Sequence, residues 1–285
     1  MLSSYRKPHA PAVVVSGQFA ERLKVMSEDK FWSYFYEIYE AIPRQGPGDR
    51  ESTERALRLL PPLTRSQRIL DIGCGAGAQT IDIARATEAQ IVAVDNHAPF
   101  VAQLARRADE LGLADRIAAQ VGDMNDLHFP DGSFDVIWSE GAIFIVGFAK
   151  GLASWRRLLA PGGHMVVSEF CWLSDNPPAE LHELFTDGCS DVGDVDARRK
   201  AIAANGYRLL GDFVLPAVGW WENYYVPLAD CLERFRAAHA TDPEALDVAV
   251  RSQHEIELYR KYPEYFGYVF FVMTPDKHGG HDGSV

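Results

Sequence analysis

The sequence predicts an α/β chain built on a doubly wound, mainly parallel sheet, and three observations carry that expectation. The apolar run Ile69–Ile72 breaks into Gly73-Cys74-Gly75-Ala76-Gly77 and then a helix. Such a strand, tight turn and helix N-terminus let a nucleotide-like ligand approach the backbone. Strand-sized and helix-sized signals then alternate as far as residue 168, which implies right-handed crossovers and a sheet covered on both faces. Acidic residues mark three strand ends in succession: Asp71 lies two residues before the first glycine, Asp95 ends the second strand, and Asp123 follows the third.

The elements follow in order. Phe31–Tyr39 is a dense aromatic helix, too aromatic on all sides to face water alone; it ends at Ile42-Pro43, and Arg44–Gly48 is a loop by its breakers. Glu51–Leu60 is amphipathic and stops at Pro61-Pro62. Strand 1 is Ile69–Ile72 with a helix over Ala78–Ala86; strand 2 is Ile91–Val94 with a helix over Pro99–Leu111; strand 3 is Ile117–Val121. Strand 4 is Phe134–Trp138, followed by a helix over Ala149–Leu159. Strand 5 is His164–Ser168, announced by the turn Pro161-Gly162-Gly163. Val195–Ala204 is helical and leads to a strand near Phe213–Leu215. Aromatics follow at Trp220, Trp221, Tyr224 and Tyr225, then polar helices over 227–240 and 243–261, and a last strand over Gly267–Met273. Residues 1–20 and 278–285 read as loosely ordered ends.

Composition narrows the function classes. The chain has 285 residues, 47% apolar and 24% charged, ordinary for a soluble enzyme of one domain. No apolar run approaches the roughly 18 residues of a membrane span, and Val13–Val15 is too short for a signal-peptide core. The chain reads as cytoplasmic. Net charge is −12, with 11 Lys/Arg against 8 Asp/Glu in residues 1–68 and 17 against 32 beyond. An acidic body repels polyphosphate, which argues against nucleic acid and suits a small, even cationic, acceptor. Cys74, Cys171, Cys189 and Cys231 form no C-x-x-C pair and read as free thiols. The histidines and cysteines lack ligand spacing, so no metal is expected.

A lone glycine turn leaves nicotinamide and sulfonium cofactors open. Asp71 before it, Asp95 after strand 2 (able to accept both hydroxyls of a ribose) and Gly122-Asp123-Met124 after strand 3 match an adenosine carrying an amino acid. At this point the chain resembles the class I S-adenosylmethionine (SAM)-dependent methyltransferases. The resemblance rests on Asp71–Gly77, Val94-Asp95, Gly122-Asp123, Pro130–Ile137 and Leu158–Gly163, and covers about residues 50–170. Pro43–Gly48, Trp138–Ala142 and Tyr265–Tyr268 look like a bacterial small-molecule subgroup of the methyltransferase type 11 kind.

That resemblance implies a Rossmann-like seven-stranded sheet of order 3-2-1-4-5-7-6 with strand 7 antiparallel. It implies a single domain: an aromatic helix and loop over 1–50 forming part of a lid, a core over 51–215, a lid insertion over 216–265, the last strand over 266–275 and a tail over 276–285. Asp71, Gly73, Cys74, Gly75 and Gly77 would line the methionine part of SAM, Asp95 with Asn96 the ribose, and Asp123 with Met124 the adenine; the product is S-adenosylhomocysteine. Glu140 and Glu169, at the ends of strands 4 and 5, are the acid/base candidates. Tyr36, Arg44, Trp172, Trp221 and Tyr225 are expected to contact a small-molecule acceptor. A homodimer is the candidate assembly, with no membrane or nucleic-acid partner. Two alternatives stay open: a protein that binds SAM without methyl transfer or for another reaction, and a nicotinamide oxidoreductase.

Overall fold

Strict alternation along short apolar strands builds the sheet. In the computed structural model, which describes residues 26–186 and 192–276, β1 (Arg68–Ile72) turns Ile69 to one core and Leu70 and Ile72 to the other. The same alternation puts Val136 and Trp138 of β4 (Phe134–Glu140) on the first face and Ile137 on the second. β2 (Gln90–Asp95), β3 (Ile117–Val121) and β5 (Leu159–Trp172) complete the parallel part. β8 (Phe266–Pro275) runs antiparallel between β5 and β7 (Tyr207–Val214). The order is 3-2-1-4-5-8-7, with a two-residue strand β6 (Gly193–Asp194) beside β5. Apart from β6, this is the expected order and polarity. The expectations for residues 1–20, for Cys189 and for the tail beyond 276 lie outside the described residues.

Helices α3 (Ala78–Ala86) and α4 (Ala98–Glu110) follow β1 and β2. α5 (Phe148–Trp155) follows β4, and α6 (Ala179–Thr186) and α7 (Val195–Ala204) follow β5. Ahead of the sheet lie α1 (Glu28–Glu40), capped by Ser27, and α2 (Arg50–Leu57), whose cap Asp49 accepts from Ser52 N. Between β7 and β8 come a single turn α8 (Ala217–Trp220), a π-helical turn over Trp221–Tyr225, α9 (Val226–Ala238) and α10 (Pro243–Lys261).

Two strands differ from expectation. Pro161-Gly162-Gly163 does not precede β5 but lies inside it as a bulge, because Phe134 pairs with Leu159 while Val136 already pairs with His164. β7 begins at Tyr207, six residues before the expected start, since Arg208, Leu209, Gly211 and Asp212 pair with β8 despite their mixed polarity. An antiparallel strand near a sheet edge needs no continuous apolar run.

α1 packs against both α9 and α10. Lys30 pairs with Glu244, Tyr34 Oη donates to Asp242 at 2.5 Å, and His239 meets Glu37 at 2.8 Å. The aromatic helix is therefore covered by the insertion helices, which explains how so apolar a segment is tolerated. Among the described residues no helix is long and apolar enough to cross a membrane.

Gly77 links turn to core. It starts α3 at φ 79°, and a Cβ there would collide with Leu104, a fully buried residue of α4. Gly77→Ala is expected to cost about 2–3 kcal/mol through positive φ and overpacking. A thermal melt checks this; an unchanged Tm would show that the turn relaxes freely.

Candidate active site

The C-terminal ends of the parallel strands border one cavity of about 570 Å³, inside the roughly 300–1,000 Å³ range of small-molecule sites. Its floor at one end is the glycine turn. Gly73 N and Cys74 N both donate to Val94 O, at 2.8 and 3.0 Å, which folds the turn back over β2. Gly73 sits at φ 74°, and a Cβ on it would lie 2.5 Å from Ala142 Cβ, so only glycine lets the turn pass the end of β4.

Asp95 faces the same end. Its Oδ2 accepts from Gly75 N and its Oδ1 from His97 N, both at 2.9 Å. Burial raises its carboxyl, while these backbone donors pull it back. Two backbone donors leave lone pairs on both oxygens of a carboxylate with about four acceptor sites, which is the acceptor set a ribose diol needs. Asn96, Asp123 and Met124 also border this end. Asp123 Oδ1 holds Asn125 N at 2.8 Å within its own turn, and Met124 O accepts from Trp155 Nε1 of α5 at 3.0 Å. Tyr36 closes the rim from α1: its ring stacks on His97 at 3.6 Å, and His97 Nε2 meets Glu40 at 2.7 Å.

Asp71 and Gly77 do not reach the cavity. Asp71 is fully buried behind the turn, where Thr80 Oγ1 donates to it at 2.5 Å and Gln79 Nε2 at 3.4 Å. It ties the start of α3 to β1, because the alternation of β1 turns it toward that helix. Cys74 does border the cavity, but burial pushes its thiol well up, so it stays protonated.

Glu140 sits at the end of β4 with both oxygens engaged. Oε1 accepts from Trp138 Nε1 and Thr53 Oγ1 at 2.9 Å, and Oε2 accepts from Arg44 Nη2 at 2.5 Å. Its carboxyl is raised by burial, against the pull of Arg44, Trp138 and Thr53. Next to Arg44, Gln45 accepts from Ala76 N at 2.8 Å and donates to Tyr39 O and Ile42 O, bridging the glycine turn to the end of α1.

The far half of the cavity is tyrosine-rich. Tyr39 and Tyr224 hydroxyls meet at 3.0 Å; Tyr268 and Trp220 rings approach at 5.1 Å; Glu169 and Glu255 border the same space. Glu169 Oε1 accepts from Phe170 N at 2.9 Å. Of the expected acceptor contacts, Tyr36 and Arg44 border the cavity, whereas three aromatics do not. Trp172 packs behind Phe170 at 5.2 Å, Trp221 turns outward beneath Arg260, and Tyr225 is buried behind the wall, donating to Glu255 at 3.0 Å. Sequence reasoning missed Glu255 and Tyr268 as cavity residues, whereas Tyr39 and Tyr224 belong to the aromatic groups it offered as enclosing an acceptor. The one signal available was a glutamate at helical spacing from buried Tyr259 and Ser252, which a solvated helix face would share.

With this geometry in place, residues 69–163 match the model of a methyltransferase domain. The matched segment is similar to a methyltransferase domain, and the described fold is similar to that of a SAM-dependent methyltransferase. A SAM-dependent methyltransferase of Geobacter sulfurreducens, crystallised with S-adenosylhomocysteine, superposes with a TM-score of 0.72 at 25% identity, over 85% of this chain and 98% of that one. Phosphoethanolamine N-methyltransferase 1 of Arabidopsis thaliana is 29% identical over 59% of this chain and 35% of its own length. A sterol 24-C-methyltransferase of Aspergillus fumigatus is 29% identical over 72% and 53%. The chain thus spans a third to a half of the length of these two curated relatives. The matched methyltransferase segment holds the glycine turn, Asp95, Asp123 and Glu140, but neither α1 nor the tyrosines.

Asp71 supplies a pH signature. Burial pushes its carboxyl from 3.8 up to about 7, with Thr80 opposing. The folded protein therefore keeps a proton that the unfolded chain has released, and stability falls as pH rises through that window. Between about pH 5 and 7 this one group costs up to about 3 kcal/mol. Asp71→Asn, uncharged throughout, is expected to lose less stability over that interval in urea melts than the parent protein. Equal losses would place the titration elsewhere.

Proposed function

We propose that the whole chain transfers a methyl group from SAM to a small-molecule acceptor held in the tyrosine-rich half of the cavity. The observation that carries this reading is the continuity of one cavity from Asp95 and the glycine turn to Glu169 and Tyr268. The residues fit the group: the glycine backbone for the methionine portion, Asp95 and Asn96 for the ribose, Asp123 and Met124 for the adenine. When bound, SAM supplies an electrophilic methyl on a sulfonium for in-line displacement by the acceptor.

The chain's own task is alignment, exclusion of water and removal of a proton. Tyr36, Phe35 and Trp32 of α1 cover the cavity, so α1 with α9 and α10 acts as the lid. Burial raises the hydroxyls of Tyr39, Tyr224 and Tyr268, which therefore stay protonated and donate rather than abstract. Glu169 is the group we assign to proton removal, since it borders the cavity at the end of β5. Glu140, with a buried guanidinium and two other donors on its oxygens, serves instead as the anchor of the Arg44 loop.

Two variants separate these roles. Asp95→Ala is expected to weaken S-adenosylhomocysteine binding about 10- to 100-fold in titration calorimetry, the worth of charge-assisted hydrogen bonds. Binding of NAD with no binding of S-adenosylhomocysteine would overturn the cofactor assignment. Glu169→Gln is expected to keep S-adenosylhomocysteine affinity while labelled methyl transfer into cell extract falls by about 100-fold or more. Undiminished transfer would remove Glu169 from proton removal, and tight binding with no labelled product from the parent protein would favour a SAM-binding protein.

A further inference from the structure

We propose that His97 is a positioning residue that latches α1 over the Asp95 end of the cavity, so that S-adenosylhomocysteine enters and leaves as this latch opens. The proposal rests on the reading of Asp95 as the ribose site, and adds the group that ties that site to the lid.

The local sequence gives His97 no role within its own helix. It holds the N-cap position of α4, where Ser, Thr, Asp or Asn would satisfy an unpaired backbone N–H. Its side chain makes no cap hydrogen bond. A residue that breaks a local preference points to a role beyond its own element. Here the ring is committed to α1. It stacks on the Tyr36 ring with centroids 3.6 Å apart and planes 3° from parallel. Nε2 meets Glu40 Oε1 at 2.7 Å, and because a carboxylate only accepts, that nitrogen is the donor. Tyr36 and Glu40 are four residues apart on α1, so they stand on one face in successive turns. A single ring thus holds two turns of the lid helix.

The backbone of His97 reaches the other way, into the ribose site. Its N–H donates to Asp95 Oδ1 at 2.9 Å, while Gly75 N donates to Oδ2. Burial first, and then the charge of Asp95, push the Tyr36 hydroxyl up to about 12, so the tyrosine at the rim keeps its proton within the field of that carboxylate. α4 supports the stack: Phe100 packs edge-on against both rings, 4.7 Å from His97 and 6.0 Å from Tyr36, and Gln103 Nε2 donates to Glu40 O at 3.3 Å. α1 is tied in turn to α9 and α10 through Lys30, Tyr34 and Glu37. Parting of Tyr36 and Glu40 from His97 therefore frees the lid at the end where Asp95 and Asn96 border the cavity. The His97 and Glu40 side chains are 15% and 37% exposed, so the tie lies at the rim, not in the core. A partly exposed pair and one ring stack together resist opening by roughly a factor of ten.

Surface plasmon resonance on the immobilised full chain reads association and dissociation of S-adenosylhomocysteine separately. His97→Ala keeps the backbone bond to Asp95 and is expected to raise both rate constants about tenfold, leaving Kd within about threefold of the parent. His97→Phe restores the stack without the Glu40 bond and is expected to fall between the two. A group that merely contacted the ligand or stiffened the fold would speed dissociation alone. The proposal is overturned if His97→Ala has parent-like rates, if only its dissociation is faster, or if His97→Phe is no slower than His97→Ala. Should His97→Ala fail to fold, Glu40→Ala replaces it, with both rates again expected to rise and unchanged rates overturning the latch. A parent protein that binds no S-adenosylhomocysteine would sink the cofactor reading instead. The latch is then judged from the proton spectrum, where stacking on Tyr36 is expected to shift the His97 ring protons upfield and Tyr36→Leu to remove that shift. Ring protons without the shift would overturn it.

Discussion

The buried ion pair between Glu140 and Arg44 is the constraint on which the site depends. Glu140 ends β4 in the centre of the sheet, and Arg44 belongs to the loop after α1. The side chains are 3% and 9% exposed, so both charges have left water. Such a pair is costly to desolvate and is tolerable only when the remaining lone pairs are met. Trp138 and Thr53 meet them here, from β4 itself and from α2. Three separate segments are thereby drawn onto one carboxylate.

The loop held in this way reaches every other part of the site. Gln45 crosses to the glycine turn, Gly48 N donates to Gly219 O at 3.1 Å, and Asn223 Nδ2 donates to Gly48 O at 3.0 Å. Residues 44–48 therefore join the methyltransferase core to the π-helical turn that presents Tyr224. The core holds one end of the cavity and the helices outside the matched segment hold the other, with this loop as the joint. A fold shared with many relatives can keep its cofactor end while the acceptor end is rebuilt from α1, the π-helical turn and α10.

The sheet was legible because its strands are short apolar runs between helices, and alternation and turn residues are local signals. The end of the cavity proposed for the cofactor was legible as a cluster for the same reason: Gly73, Gly75, Asp95, Asp123 and Met124 sit at strand ends, and strand ends share one edge. Side-chain direction was less legible. Asp71 is within two residues of the cavity floor, yet the pleat sends its carboxylate back to Thr80. Tyr225 and Trp221 flank a cavity residue, but the π-helical turn, which no local pattern announces, turns one behind the wall and the other outward. Glu255 and Arg44 meet their partners across 30 and 96 residues of chain. Contacts of that span come from packing, which a sequence read element by element does not contain.

A double-mutant cycle on Arg44 and Glu140, read as S-adenosylhomocysteine affinity by calorimetry, tests this account most directly. If the pair holds the loop that completes the cavity, Arg44→Met and Glu140→Gln each weaken binding by about tenfold or more, and the double variant is no weaker than either, a coupling of about 1–3 kcal/mol. Parent-like affinity in both single variants, or losses that simply add in the double, would contradict it.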